Sequence, residues 1–204
     1  MKIAVLTSGG VDSSVALMRL AEEGMHELTA FYLKIWLEDE MAFLGQCPWE
    51  EDLEIVRRVC DGAGVPLEVI SLQHEYRDTV IAYVLSELEI GHTPSPDVLC
   101  NRAIKFGAFV DRVGDRFDLV ASGHHARVTF RDGVARLLRG ADPKKDQTYF
   151  LCQLRQGQLA RCLLPNGHLS KAEVRAEARR VGLPHAERPD SPGICFMGRG
   201  PVNY

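Results

Sequence analysis

Short apolar blocks alternate with longer amphipathic ones along the first half of this chain. Ile3–Thr7 is a continuous apolar, β-branched run ending at Ser8-Gly9-Gly10, the pattern of a buried strand that feeds a tight turn. From Ser14 to Glu23, Val15, Leu17, Leu20 and Ala21 recur at helical spacing, and Gly24 stops the run. Leu28–Trp36 reads as a second strand. Trp49–Asp61 reads as a helix with Leu53, Val56, Val59 and Cys60 on one face, closed by Gly62 and Gly64. Pro66–Leu72 is a third strand, Tyr76–Glu89 a helix ending at Gly91, Asn101–Val113 another helix, and Asp118–Ser122 a fourth strand. Strands that alternate with helices predict an α/β fold with a parallel sheet covered on both faces.

The rhythm changes after Gly123. Ala126–Phe130 and Val134–Leu138 flank Arg131-Asp132-Gly133, a hairpin signal. Ser170-Lys171-Ala172-Glu173 is a Ser-x-x-Glu capping box, and it opens a helix running to Arg180 with Gly182 as its stop. The α/β domain is therefore expected to span residues 1–165. Residues 166–204 are expected to begin a small helical domain. No internal repeat or low-complexity stretch interrupts this order.

With 204 residues, 46% of them hydrophobic, the chain can bury a full domain core. No apolar run approaches the roughly 18 residues of a membrane span. The N-terminus enters a strand directly, without the features of a signal or transit peptide, so a cytoplasmic protein without a membrane partner is expected. The net charge of −4 conceals an asymmetry. Residues 1–100 carry 6 Lys and Arg against 18 Asp and Glu, a net of −12, whereas residues 101–204 carry 18 against 10, a net of +8. Such a basic half suits a polyanionic partner, though attraction between the two halves would explain it equally. None of Cys47, Cys60, Cys100, Cys152, Cys162 and Cys195 forms a Cys-x-x-Cys pair, which argues against a zinc ribbon, a thioredoxin-type site or a cysteine-held iron–sulfur cluster. Cys60 and Cys162 lie in apolar helical patterns and read as core residues. Cys100 and Cys195 lie in Pro/Gly-rich stretches where packing explains them less well.

The candidate chemistry starts at Ser8-Gly9-Gly10-Val11-Asp12-Ser13-Ser14. Two glycines between a strand and a helix let backbone N–H groups approach an anion, and the helix N-terminus adds partial positive charge. Ser8, Ser13 and Ser14 can donate hydroxyl hydrogen bonds to phosphate oxygens. Asp12 is out of place in an anion site unless a cation accompanies the phosphates, so it is a candidate Mg²⁺ ligand. The loop lacks the lysine of the Gly-x4-Gly-Lys-Ser/Thr pattern and is not a Gly-x-Gly-x-x-Gly turn.

A second candidate lies in Thr93-Pro94-Ser95-Pro96-Asp97-Val98-Leu99-Cys100-Asn101. Its prolines stiffen the segment, and Asp97 and Cys100 are spaced to share one face at the start of a helix. A thiol near a helix N-terminus is expected to have a lowered pKa, and a neighbouring carboxylate can move protons.

Ser8–Ser14 directly after the first strand resembles the PP-loop of the ATP pyrophosphatase superfamily, whose fold is a Rossmann-like parallel sheet of the adenine nucleotide alpha hydrolase type. Five segments together resemble the tRNA-specific 2-thiouridylase family: residues 8–14, Pro94–Asn101, Ser122-Gly123-His124, Lys145–Leu151, and Asp190-Ser191-Pro192-Gly193-Ile194-Cys195-Phe196. The resemblance implies an enzyme that uses ATP to adenylate the C2 oxygen of a tRNA wobble uridine and releases pyrophosphate. A persulfide on Cys195, received from a sulfur-relay protein, then supplies the sulfur. Cys100 attacks the persulfide or a bound hydrosulfide, AMP leaves, and a Cys100–Cys195 disulfide can result. Asp97 is implied as the acid–base group. ATP contacts are implied at Leu6, Thr7, Ser8, Gly9, Gly10, Val11, Asp12, Ser13, Leu33 and Gly123. Contacts to tRNA are implied at Ser95, Pro96, Asp97, His124, Lys145, Asp146 and Gln147.

The resemblance also implies longer chains, with a central domain and a C-terminal β-barrel after the second cysteine. This sequence ends at Tyr204, so the barrel is expected to be absent. Ser95 stands where Asn is common, and His125 where Tyr is common. Two alternatives keep the ATP loop but change its use: another PP-loop ligase acting on tRNA, or an ATP-binding fragment without full activity. Neither requires two cysteines as far apart as Cys100 and Cys195.

Overall fold

The computed structural model describes residues 1–35 and 48–190. Its centre is β1 (Lys2–Thr7), in which every residue after Lys2 is buried. A strand buried on both faces belongs in the middle of a parallel sheet, and β1 lies between β2 (Glu27–Lys34) and β4 (Leu119–Ala121), parallel to both. β3 (Leu67–Ser71) extends the sheet beyond β2, and a two-residue strand, Cys162–Leu163, extends it beyond β4. The order is therefore β3-β2-β1-β4 followed by Cys162–Leu163, all parallel.

The two-residue period of β1 divides the core. Ile3 and Val5 point to one face, where α1 (Val11–Glu23) and α2 (Pro48–Ala63) contribute Val15, Leu17, Leu53 and Val56. Ala4 and Leu6 point to the other, which is covered by two long helices over residues 73–89 (α3) and 96–113 (α4). There Phe31 meets Phe109 and Phe117 edge to face, at centroid distances of 5.0 and 5.3 Å. Complete burial of an aliphatic or aromatic side chain of this size contributes roughly 1.5–3 kcal/mol.

Both α3 and α4 contain a π-helical stretch, at Arg77–Ile81 and Asn101–Ala108. In α4 the carbonyls of Arg102 and Phe106 are taken up by Gln158 Nε2 at 2.9 and 2.8 Å, so this side chain supports the irregular turn. The hairpin forms as expected, with β5 (Ala126–Arg131) pairing antiparallel with β6 (Val134–Arg139). Asp132 and Gly133 both take positive φ, the backbone of a tight Asp-Gly turn.

Three features differ from the sequence reading. The helix expected from Asn101 begins at Pro96, which suits a first-turn position because its missing N–H would lack a partner there. Cys162 lies in a strand rather than in a helical pattern. That strand, β7, follows the short α5 (Gln156–Ala160) and is too short to show a period of its own. The strand expected to reach Trp36 is described only to Lys34, with Trp36 and Cys47 outside the described residues. The helix α6 (Lys171–Arg180) packs against α1, and its Val174 and Ala178, with Leu183 and Ala186, join the core on that face of the sheet. Its capping box forms: Ser170 Oγ accepts from Glu173 N at 3.2 Å and Glu173 Oε2 accepts from Ser170 N at 2.7 Å.

Candidate active site

Sheet order reverses direction between β1 and β4, and the segments following their carboxyl ends meet there. In open α/β sheets this crevice is where ligands bind. Residues 8–14 follow β1, and Gly123 follows β4. Gly9 has φ +72°, and a Cβ on it would stand 2.9 Å from the Asp52 carbonyl oxygen. A Cβ on Gly123 would stand 2.7 Å from both Asp12 C and Ser13 N. The first turn of α1 is thus closed in on both sides by backbone that tolerates no larger residue.

No side chain caps α1 at Gly10, so the first N–H groups of the helix are left to an external acceptor. The hydroxyls are tightly organised. Ser13 Oγ donates to Gly10 O at 3.0 Å, accepts from Ser8 N at 3.2 Å, and lies 3.2 Å from Ser8 Oγ. Ser14 Oγ also donates to Gly10 O at 3.0 Å, so His185 Nε2, 3.0 Å from the same oxygen, carries the ring proton that it donates. Uncapped helix donors among hydroxyls suit the oxygens of a nucleoside triphosphate.

Asp12 is the one carboxylate in this loop. Its Oδ1 accepts from Lys171 Nζ at 2.5 Å and lies 3.4 Å from His125 Nε2. Burial acts to raise its pKa, but the hydrogen bond from His125 and the charge and hydrogen bond of Lys171 bring it below the ordinary carboxylate value. Asp12 is therefore ionised at neutral pH. Among the described residues no three His, Cys, Asp or Glu side chains cluster as a metal site. A single carboxylate beside a phosphate loop nevertheless fits Mg²⁺, which takes one or two carboxylates together with substrate phosphates.

The segment after β7 converges on this loop, which sequence reasoning did not anticipate. Asn166 Nδ2 donates to Asp12 O at 2.8 Å, Lys171 reaches the Asp12 carboxylate, His185 reaches Ser14, and Arg188 donates to Gly9 O at 3.1 Å while pairing with Asp52 at 2.6 Å. The signal available in the sequence was chemical rather than periodic, since the loop itself holds no cation. Asp190, at the end of the same segment, bonds Lys145 at 2.5 Å, Lys171 at 2.7 Å and Arg175 at 3.3 Å. Burial opposes its ionisation, but these lysines hold its pKa down to about 2.

The second group of expected residues assembles along α4. Ser95 is exposed, Pro96 buried and Asp97 partly buried. Asn101 Nδ2 donates to Asp97 O at 3.0 Å and to Phe150 O at 3.2 Å, tying the start of α4 to residues 148–151. Gln147 Oε1 accepts from His125 N at 2.9 Å, and Asp146 pairs with Arg139 at 3.1 Å. His124 Nδ1 lies 2.8 Å from Ser122 Oγ, and desolvation with Lys105 nearby keeps its pKa below the ordinary imidazole value. Leu6 and Thr7 are buried, and Leu33 packs against the Leu6 core. Cys195 lies outside the described residues.

Cys100 departs from the sequence expectation. It is 1% exposed, and burial pushes its thiol pKa up, with Asp97 adding to the rise and Lys105 opposing it. The reason is the earlier helix start: beginning at Pro96, the helix carries Cys100 past the free N–H groups of its first turn and into the core beside Leu151.

The histidines give one pH prediction. The pKa of His185 is lowered, first by desolvation and then by Arg188, and that of His124 is lowered as well. With folded-state values below the unfolded value of about 6.5, the unfolded chain takes up protons first. Stability is thus expected to fall as pH drops below about 6.5. A His185→Gln chain should lose a few degrees less in Tm than wild type between pH 7 and 5, read by thermal melting.

The chain matches the family model described as tRNA methyl transferase HUP domain over residues 1–199. It is 46% identical over 199 residues to the tRNA-specific 2-thiouridylase MnmA of Porphyromonas gingivalis, covering 98% of this chain and 55% of that protein. It is 48% identical over 198 residues to the MnmA of Geobacillus thermodenitrificans, covering 97% of this chain and 53% of that one. The chain thus spans about half the length of the curated relatives it matches. Among solved structures, the U34-tRNA thiolase NcsA of Methanococcus maripaludis shares the fold with TM-score 0.57 and 18% identity, over 96% of this chain and 61% of that one. The NH3-dependent NAD synthetase of Campylobacter jejuni does so with TM-score 0.53 and 20% identity, over 90% and 65%. By its match over residues 1–199, the chain belongs to the family described as the tRNA methyl transferase HUP domain, alongside the tRNA-specific 2-thiouridylases named MnmA.

Proposed function

We propose that the chain is the ATP-activating part of a tRNA 2-thiouridylase. The observation that carries this reading is the uncapped N-terminus of α1 inside a hydroxyl-lined, glycine-closed loop at the switch point of the sheet. The loop binds the phosphates of ATP through the first N–H groups of α1 and through the Ser8 hydroxyl, with Ser13 holding Ser8 in place. The remaining nucleotide contacts are Leu6, Thr7, Gly9, Gly10, Val11, Asp12, Leu33 and Gly123. Mg²⁺, held by Asp12 together with the phosphates, would neutralise charge on the departing pyrophosphate.

The wobble uridine of tRNA binds near the start of α4, against Ser95, Pro96 and Asp97, while His124, Lys145, Asp146 and Gln147 contact the RNA. Exposed Arg127, Arg131, Arg136 and Arg139 on the hairpin, near exposed Tyr149, add charge and a stacking surface suited to RNA. The uracil C2 oxygen attacks the α-phosphate and pyrophosphate leaves, so a poor leaving group becomes AMP. Sulfur from a Cys195 persulfide, loaded by a sulfur-relay protein, attacks C2. Cys100 then takes over the bond to Cys195 as a disulfide, and AMP departs. Asp97 moves the proton. Among the described residues no helix is long and apolar enough to cross a membrane, and we place the reaction in the cytoplasm.

Methyl transfer, the chemistry in the family's description, fits the site less well. S-adenosylmethionine carries no phosphate and would leave the donors of the loop unmatched. The reading predicts that ATP is converted to AMP and pyrophosphate in amounts equal to the 2-thiouridine formed, and only when tRNA is present. Conversion to ADP and phosphate, or AMP formation independent of tRNA, would contradict it.

A further inference from the structure

The phosphate loop contains no lysine, although triphosphate loops of the Gly-x4-Gly-Lys type set one against the β- and γ-phosphates. Instead the loop carries an ionised carboxylate, Asp12, which repels phosphate unless a cation compensates. The fold supplies that cation from a position 159 residues away.

Lys171 is the first residue of α6, and its side chain is only 18% exposed. Its Nζ lies 2.5 Å from Asp12 Oδ1 and 2.7 Å from Asp190 Oδ1. Its backbone is fixed independently of both carboxylates: Asp142 Oδ2 accepts from Lys171 N at 2.7 Å, and Asp142 Oδ1 holds Lys144 N at the same distance. The Ser170–Glu173 capping box locks the turn just before it. Lys171 is thus built into place rather than draped over the surface. A second cation near the loop, Arg188, bonds the Gly9 carbonyl and the Asp52 carboxylate. Lys171 reaches Asp12 in the first turn of α1, whose uncapped N–H groups mark the anion position.

We propose that Lys171 is a phosphate ligand of this site and supplies the positive charge the loop itself lacks. This rests on the reading of residues 8–14 as an ATP loop. Before nucleotide binds, the Asp12–Lys171 pair keeps the ammonium pointed into the site and its charge neutralised. When the triphosphate enters, Nζ donates to its oxygens as well as to Asp12. Because three protons are available on the ammonium, neither contact excludes the other. The same ammonium also holds Asp190, so phosphate occupancy acts on the residue that leads into the segment bearing Cys195.

A neutralising role toward Asp12 alone predicts different behaviour, and a double-mutant cycle separates the two. Binding of ATP and of inorganic pyrophosphate is measured by calorimetry, in EDTA and again with Mg²⁺, for wild type, Lys171→Met, Asp12→Asn and the double variant. Loss of Lys171 is expected to weaken both ligands about tenfold or more, even when Asp12 is already Asn, while adenosine binding is unchanged. Lys171→Arg is expected to retain affinity within about threefold. The double variant removes both partners of the pair, so an unpaired Asp12 cannot be the cause of the loss. If Lys171→Met had no effect in the Asp12→Asn background, the lysine would only neutralise Asp12 and the proposal would fall. If wild type bound neither ATP nor pyrophosphate in either condition, the ATP reading itself would fall.

Discussion

Replacing Cys100 with Ser is expected to abolish 2-thiouridine formation, by about a thousandfold or more, while ATP affinity stays at the wild-type level. The size follows from removing the proposed nucleophile. Conserved ATP affinity separates this outcome from misfolding, since burying a hydroxyl without a partner costs about 1–3 kcal/mol. The structure makes the experiment sharper. At 1% exposure and with a raised pKa, Cys100 is protonated and shielded in the ligand-free chain. Alkylation at neutral pH is therefore expected to modify exposed Cys152 much faster than Cys100. Addition of tRNA and ATP should raise the rate at Cys100 if the reacting base draws this turn of α4 open. Unchanged thiolation by Cys100→Ser would remove the cysteine from the mechanism.

Alanine at Gly123 is expected to weaken ATP binding by about a hundredfold. A Cβ there would lie 2.7 Å from Asp12 C and Ser13 N, both backbone atoms that cannot rotate away. The added methyl therefore displaces the first turn of α1, whose N–H groups are the proposed phosphate donors. Gly9→Ala should act similarly for a second reason, because its φ of +72° is strained for any residue with a Cβ, in addition to the 2.9 Å approach to Asp52 O. Alanine at Gly157, where an added Cβ meets nothing within 4 Å, serves as the control and should bind ATP normally. Nucleotide titration of the three variants is the test, and wild-type affinity for Gly123→Ala would mean that the phosphates lie elsewhere.

How much of this was legible in the sequence depends on the range of the interaction. β1 and the Ser8–Ser14 turn were readable because a continuous apolar run and a Gly-Gly pair are local signals. So were the Asp132-Gly133 hairpin and the Ser170–Glu173 cap, in which every determining contact lies within a few residues. The helix start at Pro96 was missed because the two prolines suggested a loop, although one of them sits in the first turn. Misplacing that start reversed the expected acidity of Cys100. The strand at Cys162–Leu163 was invisible because two residues define no period. In α6 only two residues, Val174 and Ala178, are buried. Their burial against α1 is a tertiary fact, and so is the arrival of Asn166, Lys171, His185 and Arg188 at the phosphate loop. Periodicity records which face of an element is apolar, not which distant charge that face carries toward a site.

The loop at Ser8–Ser14 is proposed to use ATP to activate a uridine oxygen for replacement by sulfur. This use is tested most directly with tRNA carrying ¹⁸O at C2 of the wobble uridine, incubated with the chain, ATP, Mg²⁺ and sulfide. The expected products are 2-thiouridine in the tRNA, pyrophosphate in equal amount, and AMP whose phosphate carries the ¹⁸O label. Unlabelled AMP, or 2-thiouridine formed without AMP, would contradict it.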